Sequence, residues 1–198
     1  MAKVQDLRKD FAYRITYPIA HLIARTSITP NTLTWTGFVL TVGAATIIYL
    51  GHPFAAGWLV LFAGLFDMLD GALARLTKRI TLFGAALDST LDRLSEAVLL
   101  MGVMALFIRL GDTGFALLSG GTMVGSFMVS YIRARAEGIG LDLKEGWFTR
   151  AERVIVLALG LLLSRFAIAL PIALGIIFVL SFLTAGQRLF LVWQKTRH

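Results

Sequence analysis

The chain has 198 residues, of which 57% are hydrophobic and only 16% are charged, and its mean hydropathy is +0.77. This composition is typical of an integral membrane protein and excludes an ordinary soluble enzyme, while the absence of cysteine excludes disulfides and thiolate chemistry. The formal net charge is +7, but the basic residues lie between apolar stretches, where they indicate membrane topology rather than nucleic-acid binding.

The N-terminal stretch predicts an amphipathic helix over about 3–24. Apolar residues such as Leu7, Phe11 and Ile15 recur at helical spacing among lysines and arginines, and Pro18 is expected to kink the helix. The segment is too polar to cross a bilayer. We therefore expect it to lie in the membrane interface.

Six stretches then approach or exceed the length of about 20 residues that a bilayer requires. They cover about 33–50, 54–75, 83–108, 113–134, 153–170 and 171–193. Only Pro171 divides the last two, so five spans are the alternative. The sequence thus predicts an all-α integral membrane protein with six transmembrane helices, in a single domain covering 1–198.

Lysine and arginine are distributed unequally between the connections. Only Arg109 and Arg165 fall on one side of the predicted membrane, whereas sixteen other lysines and arginines fall on the opposite side. Basic residues are enriched in cytoplasmic loops. The distribution predicts that both termini and the 76–82 connection face the cytoplasm, with the protein in the cell membrane.

Four aspartates lie in or beside apolar spans: Asp67, Asp70, Asp88 and Asp92. An ionised carboxylate in hydrocarbon is costly, which makes such residues candidates for a functional site. The first two have i,i+3 spacing and the last two i,i+4 spacing, so each pair shares a helix face. The short connection makes the two helices antiparallel neighbours. Four converging carboxylates favour Mg²⁺ or Mn²⁺, and two ions, because one would leave excess negative charge.

Other residues near the aspartates suit a phosphate ligand. Gly71 and Gly84 have no side chain to block close approach, and Arg75 lies on the same face as Asp70. An ion-coupled transporter or divalent-cation channel is the alternative from a different class. The position of the acids near one membrane face and the lack of internal repeats disfavour it.

The string Asp67-x-x-Asp70-Gly71-x-x-Ala74-Arg75-x8-Gly84-x3-Asp88-x3-Asp92 resembles the signature of the CDP-alcohol phosphotransferases at every defined position. The resemblance implies a six-helix membrane fold, a homodimer, a divalent metal pair, and transfer of a substituted phosphate from a CDP-linked donor to an alcohol. It implies that the four aspartates bind metal and that Asp92 also deprotonates the acceptor. It further implies that the CDP donor contacts Asn31, Thr32, Gly71, Arg75 and Thr81.

A second basic cluster suggests the acceptor. It consists of Arg133, Arg135, Arg150 and Arg153, and guanidinium groups suit a phosphate monoester. Topology signalling and contact with lipid headgroups are the alternative. The segments 130–137 and 150–153 resemble the branch of the family that makes phosphatidylinositol phosphate and CMP from CDP-diacylglycerol and inositol 1-phosphate. That branch often has Glu-Arg-Pro-Glu-Arg where this chain has Thr-Arg-Ala-Glu-Arg at 149–153, so glycerol 3-phosphate and other acceptors remain alternatives.

Overall fold

The computed structural model describes residues 16–143 and 146–197, and these residues form seven helices and no strand. Helix α1 covers residues 16–23. The others are α2 (Pro30–Tyr49), α3 (Pro53–Leu76), α4 (Leu82–Arg109), α5 (Thr113–Gly138), α6 (Arg150–Leu162) and α7 (Ala169–Thr196). The all-α class is confirmed for the described residues. The predicted interfacial helix lies mostly outside them.

Three of these helices, α2, α5 and α7, are long and apolar enough to cross a membrane, judged by length and composition. Helices α3 and α4 have 24 and 28 residues, but each carries charged side chains. Helix α6 has only 13 residues, which corresponds to about 20 Å and is shorter than a hydrocarbon core of about 30 Å. Several apolar helices in one chain indicate a multi-pass membrane protein.

The boundary between the last two helices differs from the sequence prediction. Helix α6 ends at Leu162 and α7 begins at Ala169, so the division falls at 163–168 and not at Pro171. Pro171 lies in the first turn of α7, where the backbone amide has no partner within the helix. A proline at this position therefore costs no helical hydrogen bond, which is why it does not end the helix.

The turn between α3 and α4 brings the two aspartate pairs together. Lys78 takes a positive φ of 55°, and the amides of Lys78 and Arg79 donate to the carbonyls of Arg75 and Ala74. A left-handed residue after the last helical turn is a common way to end a helix. Here it returns the chain within residues 77–81, so that α4 begins close to the end of α3.

The described residues divide into two compact units. The first consists of the described chain up to Gly43 together with Leu59–Ser95. Its core is formed by Leu33 of α2 and by Leu69 and Leu73 of α3, with Phe66 packed against them. This packing holds the N-terminal part of α2 against the end of α3 that carries the first aspartate pair.

The second unit consists of Ala44–Trp58 and the described residues from Glu96 onward. In its core, Val129 and Ile132 of α5 pack with Ala185 of α7. A Cβ on Gly121 would lie 2.8 Å from the ring of Phe178, so a larger residue there would force the ring to move. Small residues allow close packing of membrane helices in this way.

Candidate active site

Three of the four predicted metal ligands meet in the first unit. The carboxylate oxygens of Asp67, Asp88 and Asp92 lie within 4.8 Å of one another, and all three residues are half-buried. Asp67 comes from α3, whereas the other two lie one turn apart on α4. Such a set of hard oxygen donors fits the coordination chemistry of Mg²⁺ or Mn²⁺.

Asp70, the fourth predicted ligand, is only 5% exposed. Its Oδ2 accepts a hydrogen bond of 2.7 Å from the hydroxyl of Thr34. Asp67 and Asp88 are its charged neighbours. Asp70 therefore belongs to the same acidic region as the other three, but a side chain from α2 holds it in place.

A pocket of about 260 Å³ opens beside the acidic region, and Asp70 and Asp88 both line it. Four of the five residues expected to contact the CDP donor also line it: Asn31, Gly71, Arg75 and Thr81. The fifth, Thr32, is exposed, and its hydroxyl lies 2.9 Å from that of Thr29. Arg79 adds a second cation to the lining. The pocket thus combines carboxylates with guanidinium groups.

The neighbours of Gly84 leave little space for a side chain at this position. The hydroxyl of Thr81 accepts a hydrogen bond of 2.9 Å from the amide of Gly84 at the start of α4. A Cβ on Gly84 would lie 2.9 Å from that hydroxyl and 3.3 Å from Oδ1 of Asn31. A side chain at position 84 would force the Thr81 hydroxyl to move and would crowd Asn31, which accounts for glycine at this position.

The predicted acceptor arginines lie in the second unit in different environments. Arg153 is only 2% exposed, and its Nε and Nη2 donate to the two carboxylate oxygens of Glu96 at 2.6 and 2.8 Å. Arg133 is exposed and pairs with Glu137 at 2.8 Å. Arg135 is exposed, whereas Arg150 is half-buried at the start of α6. Burial therefore distinguishes Arg153 from the other three.

Sequence reasoning missed two charged residues of this region, Glu96 and Arg188. Arg188 is 3% exposed and its Nη1 donates to the carbonyl of Val129 at 2.6 Å. Arg133 and Arg153 are its charged neighbours. Both missed residues lie within largely apolar helices, so the cost of burying charge in a membrane could have identified them as it identified the aspartates.

Comparison with known proteins decides the family. The model of the CDP-alcohol phosphatidyltransferase family matches residues 27–187, which is most of the chain. The chain belongs to this family. The family predicted from the aspartate pattern is confirmed, and with it the assignment of the protein as a transferase.

Relatives in the family match nearly the whole chain. Phosphatidylinositol phosphate synthase of Mycobacterium tuberculosis is 37% identical, over 98% of this chain and 93% of the relative. Archaetidylinositol phosphate synthase of Pyrococcus horikoshii is 38% identical, over 87% of each protein.

Solved structures of the Mycobacterium tuberculosis phosphatidylinositol phosphate synthase have the same fold. The crystal structure with CDP-DAG bound has a TM-score of 0.84 and 37% identity, covering 91% of this chain and 94% of that one. The crystal structure in complex with manganese and citrate has a TM-score of 0.83 at 37% identity, covering 90% and 88%.

Proposed function

We propose that this protein transfers the phosphatidyl group of CDP-diacylglycerol to a hydroxyl of inositol 1-phosphate, giving phosphatidylinositol phosphate and CMP. The observation that carries the proposal is the meeting of Asp67, Asp88 and Asp92 beside a pocket lined by Asn31 and Arg75. Family membership supports the reaction class. The names of both relatives contain inositol phosphate, which supports the acceptor.

The donor half of the proposal assigns the metal and the nucleotide. Asp67, Asp70, Asp88 and Asp92 would hold Mg²⁺ or Mn²⁺, two ions in each site, and a relative crystallised with manganese supports this. Bound ions would stabilise the negative charge of the pyrophosphate and of the departing CMP. The CDP group would contact Asn31, Thr32, Gly71, Arg75 and Thr81.

The chemical step assigns Asp92 as the general base. Its carboxylate accepts the proton of the acceptor hydroxyl. The resulting oxygen forms a bond to the β-phosphorus of the donor. The bond between that phosphorus and the bridging oxygen breaks, and CMP leaves with the electron pair.

The acceptor half assigns the phosphate of inositol 1-phosphate to Arg133, Arg135, Arg150 and Arg153. We add Arg188, which is buried with Arg133 and Arg153 as charged neighbours. A guanidinium has five N–H donors, so the ion pairs with Glu96 and Glu137 leave others for a phosphate. Burial of Arg153 and Arg188 removes them from the loops in water through which topology signalling acts.

We also propose an arrangement in the membrane. The whole chain would form one functional domain of six transmembrane helices after an interfacial N-terminal helix, with the short α6 crossing the bilayer together with residues 163–168. Both termini and the active site would face the cytoplasm, as the distribution of lysine and arginine indicates. The family resemblance supports a homodimer.

An acceptor panel tests the function. The purified protein is given CDP-diacylglycerol, with Mg²⁺ or Mn²⁺, and release of CMP is measured with inositol 1-phosphate, glycerol 3-phosphate, free inositol and serine. We expect metal-dependent release with inositol 1-phosphate above the other three. A chelator is expected to abolish the release.

Each other result contradicts a defined part of the proposal. If glycerol 3-phosphate is preferred, the assigned acceptor is wrong, but the assignment of the arginines to its phosphate stands. Preference for free inositol or serine would contradict the assignment of the arginines. Absence of metal-dependent CMP release with every acceptor would overturn the proposed reaction.

A further inference from the structure

Thr34 of α2 connects two helices of the first unit. The residue is buried, at 9% exposure, and its hydroxyl lies 2.7 Å from Oδ2 of Asp70 on α3. The same hydroxyl lies 3.1 Å from the carbonyl of Pro30, one turn earlier in its own helix. Both Thr34 and Asp70 line the pocket beside the aspartates.

The hydroxyl of Thr34 has one proton for these two acceptors. A carboxylate is a stronger acceptor than a neutral carbonyl, and hydrogen bonds to ionised groups are shorter and roughly twice as strong. The distance to Asp70 is also the shorter of the two. We therefore assign the proton to the hydrogen bond with Asp70.

Other threonines of α2 differ from Thr34 in their hydrogen bonds. The hydroxyl of Thr41 donates to the carbonyl of Gly37, and that of Thr36 donates to the carbonyl of Thr32. These are bonds to the preceding turn of the same helix, as threonine often makes. Thr34 has this neighbour too, but it also reaches a carboxylate on another helix.

We propose that Thr34 is a positioning residue that fixes the carboxylate of Asp70 for binding of a divalent metal ion. The inference rests on the proposed function, in which Asp70 is a metal ligand. Threonine is branched at Cβ and has few χ1 rotamers, so its hydroxyl is held in a narrow range of directions. Hydrogen-bond partners of metal ligands orient them, and their loss typically weakens metal affinity about 10–100-fold.

Thr34→Val tests the inference, because valine keeps the branched shape and removes the hydroxyl. The matched control is Thr41→Val, since Thr41 lies in the same helix, is 6% exposed and, among the described residues, donates its hydroxyl to the carbonyl of Gly37 in its own helix. Binding of Mn²⁺ alone is measured by electron paramagnetic resonance on the purified protein without substrate. We expect Thr34→Val to weaken Mn²⁺ binding about tenfold or more, and Thr41→Val to leave it unchanged.

Thr34→Ser restores the hydroxyl and is expected to recover most of the Mn²⁺ affinity. If Thr34→Val is poorly tolerated, Thr34→Ala also removes the hydroxyl, and alanine is a better helix former than valine. We expect it to weaken Mn²⁺ binding as Thr34→Val does. A double-mutant cycle with Asp70→Asn adds a readout that a packing role would not move. If Thr34 acts through Asp70, removing its hydroxyl in the Asp70→Asn protein has no further effect on Mn²⁺ binding.

Equal Mn²⁺ affinity in the wild type and Thr34→Val would overturn the inference, as would equal losses in Thr34→Val and Thr41→Val. Full additivity in the double-mutant cycle would also overturn it. Failure of the proposed function is distinguishable, because it would leave Mn²⁺ binding intact while no acceptor supports CMP release from CDP-diacylglycerol.

Discussion

Asp92 has two tasks in the proposed reaction, since it shares the metal cluster with Asp67 and Asp88 and also accepts a proton. Asp92→Asn keeps the size of the side chain and removes the base. We expect turnover to fall by about 10²–10⁴-fold, the usual contribution of a general base. Binding of CDP-diacylglycerol is expected to remain largely intact, because Asn31 and Arg75 still line the pocket. CMP release and equilibrium binding of the donor measure the two effects.

The control is Asp112→Asn. Asp112 caps α5 by accepting a hydrogen bond of 3.1 Å from the amide of Phe115. Asparagine caps helices about as well as aspartate, so this variant should keep both stability and turnover. Full turnover in the Asp92→Asn protein would remove Asp92 as the base.

Among individual residues, the sequence was enough to identify the acids that are close together along the chain. Asp88 and Asp92 are one helical turn apart, so local spacing alone predicts a shared face. Sequence reasoning did not single out Glu96, although Glu96 also lies in an apolar helix and follows Asp92 by four residues, because local spacing does not show that its side chain pairs with a distant arginine. Its partner Arg153 is 57 residues away, and only packing brings the two together.

Helix α6 illustrates how an element places its side chains. Its first turn is fixed by a capping box, in which the amide of Thr149 donates to Oε2 of Glu152 at 2.8 Å and the Thr149 hydroxyl contacts the same oxygen. Arg150 and Arg153 lie in that first turn. The cap therefore orients two of the proposed acceptor residues.

Thr149→Ala removes the hydroxyl from this cap. Loss of an N-cap side chain typically lowers the free energy of unfolding by about 1 kcal/mol, which unfolding in mixed detergent micelles measures. We expect the KM for inositol 1-phosphate to rise while the KM for CDP-diacylglycerol stays constant. Thr149→Ser keeps the hydroxyl and should behave as the wild type. An equal rise in both KM values would contradict a selective effect on the acceptor arginines.

The predicted helix boundaries agree best with the structure where the chain has clear turn residues. Gly51 and Gly111, which follow α2 and α4, adopt the positive φ that glycine favours, so those ends were predictable. Pro171 misled the prediction because proline is compatible with the first turn of a helix as well as with a break. The cap on α6 was not predicted, although Thr149 and Glu152 have the Thr-x-x-Glu spacing of a capping box.

The orientation of the whole molecule in the membrane can be tested directly, because the chain has no cysteine. A single cysteine can therefore be introduced and labelled without background. His52 and Lys78 are both exposed, and each lies in a connection between helices. We expect a membrane-impermeant maleimide to label His52→Cys in intact cells and Lys78→Cys only after permeabilisation.

The parent protein without cysteine gives the background, and retained CMP release shows that each variant is folded. Labelling of Lys78→Cys in intact cells would place the connection between α3 and α4 outside the cytoplasm. Such a result would contradict the orientation drawn from the basic residues.

By itself, the sequence determined the family, the reaction class and the acidic residues, because charge in an apolar helix is costly and spacing along a helix is local. Tertiary structure decided which distant groups meet. Thr34 and Asp70 are 36 residues apart, and Arg188 and Val129 are 59 apart. Helical periodicity carries no information about such pairs. They form where helices pack and where each buried polar group must find a partner.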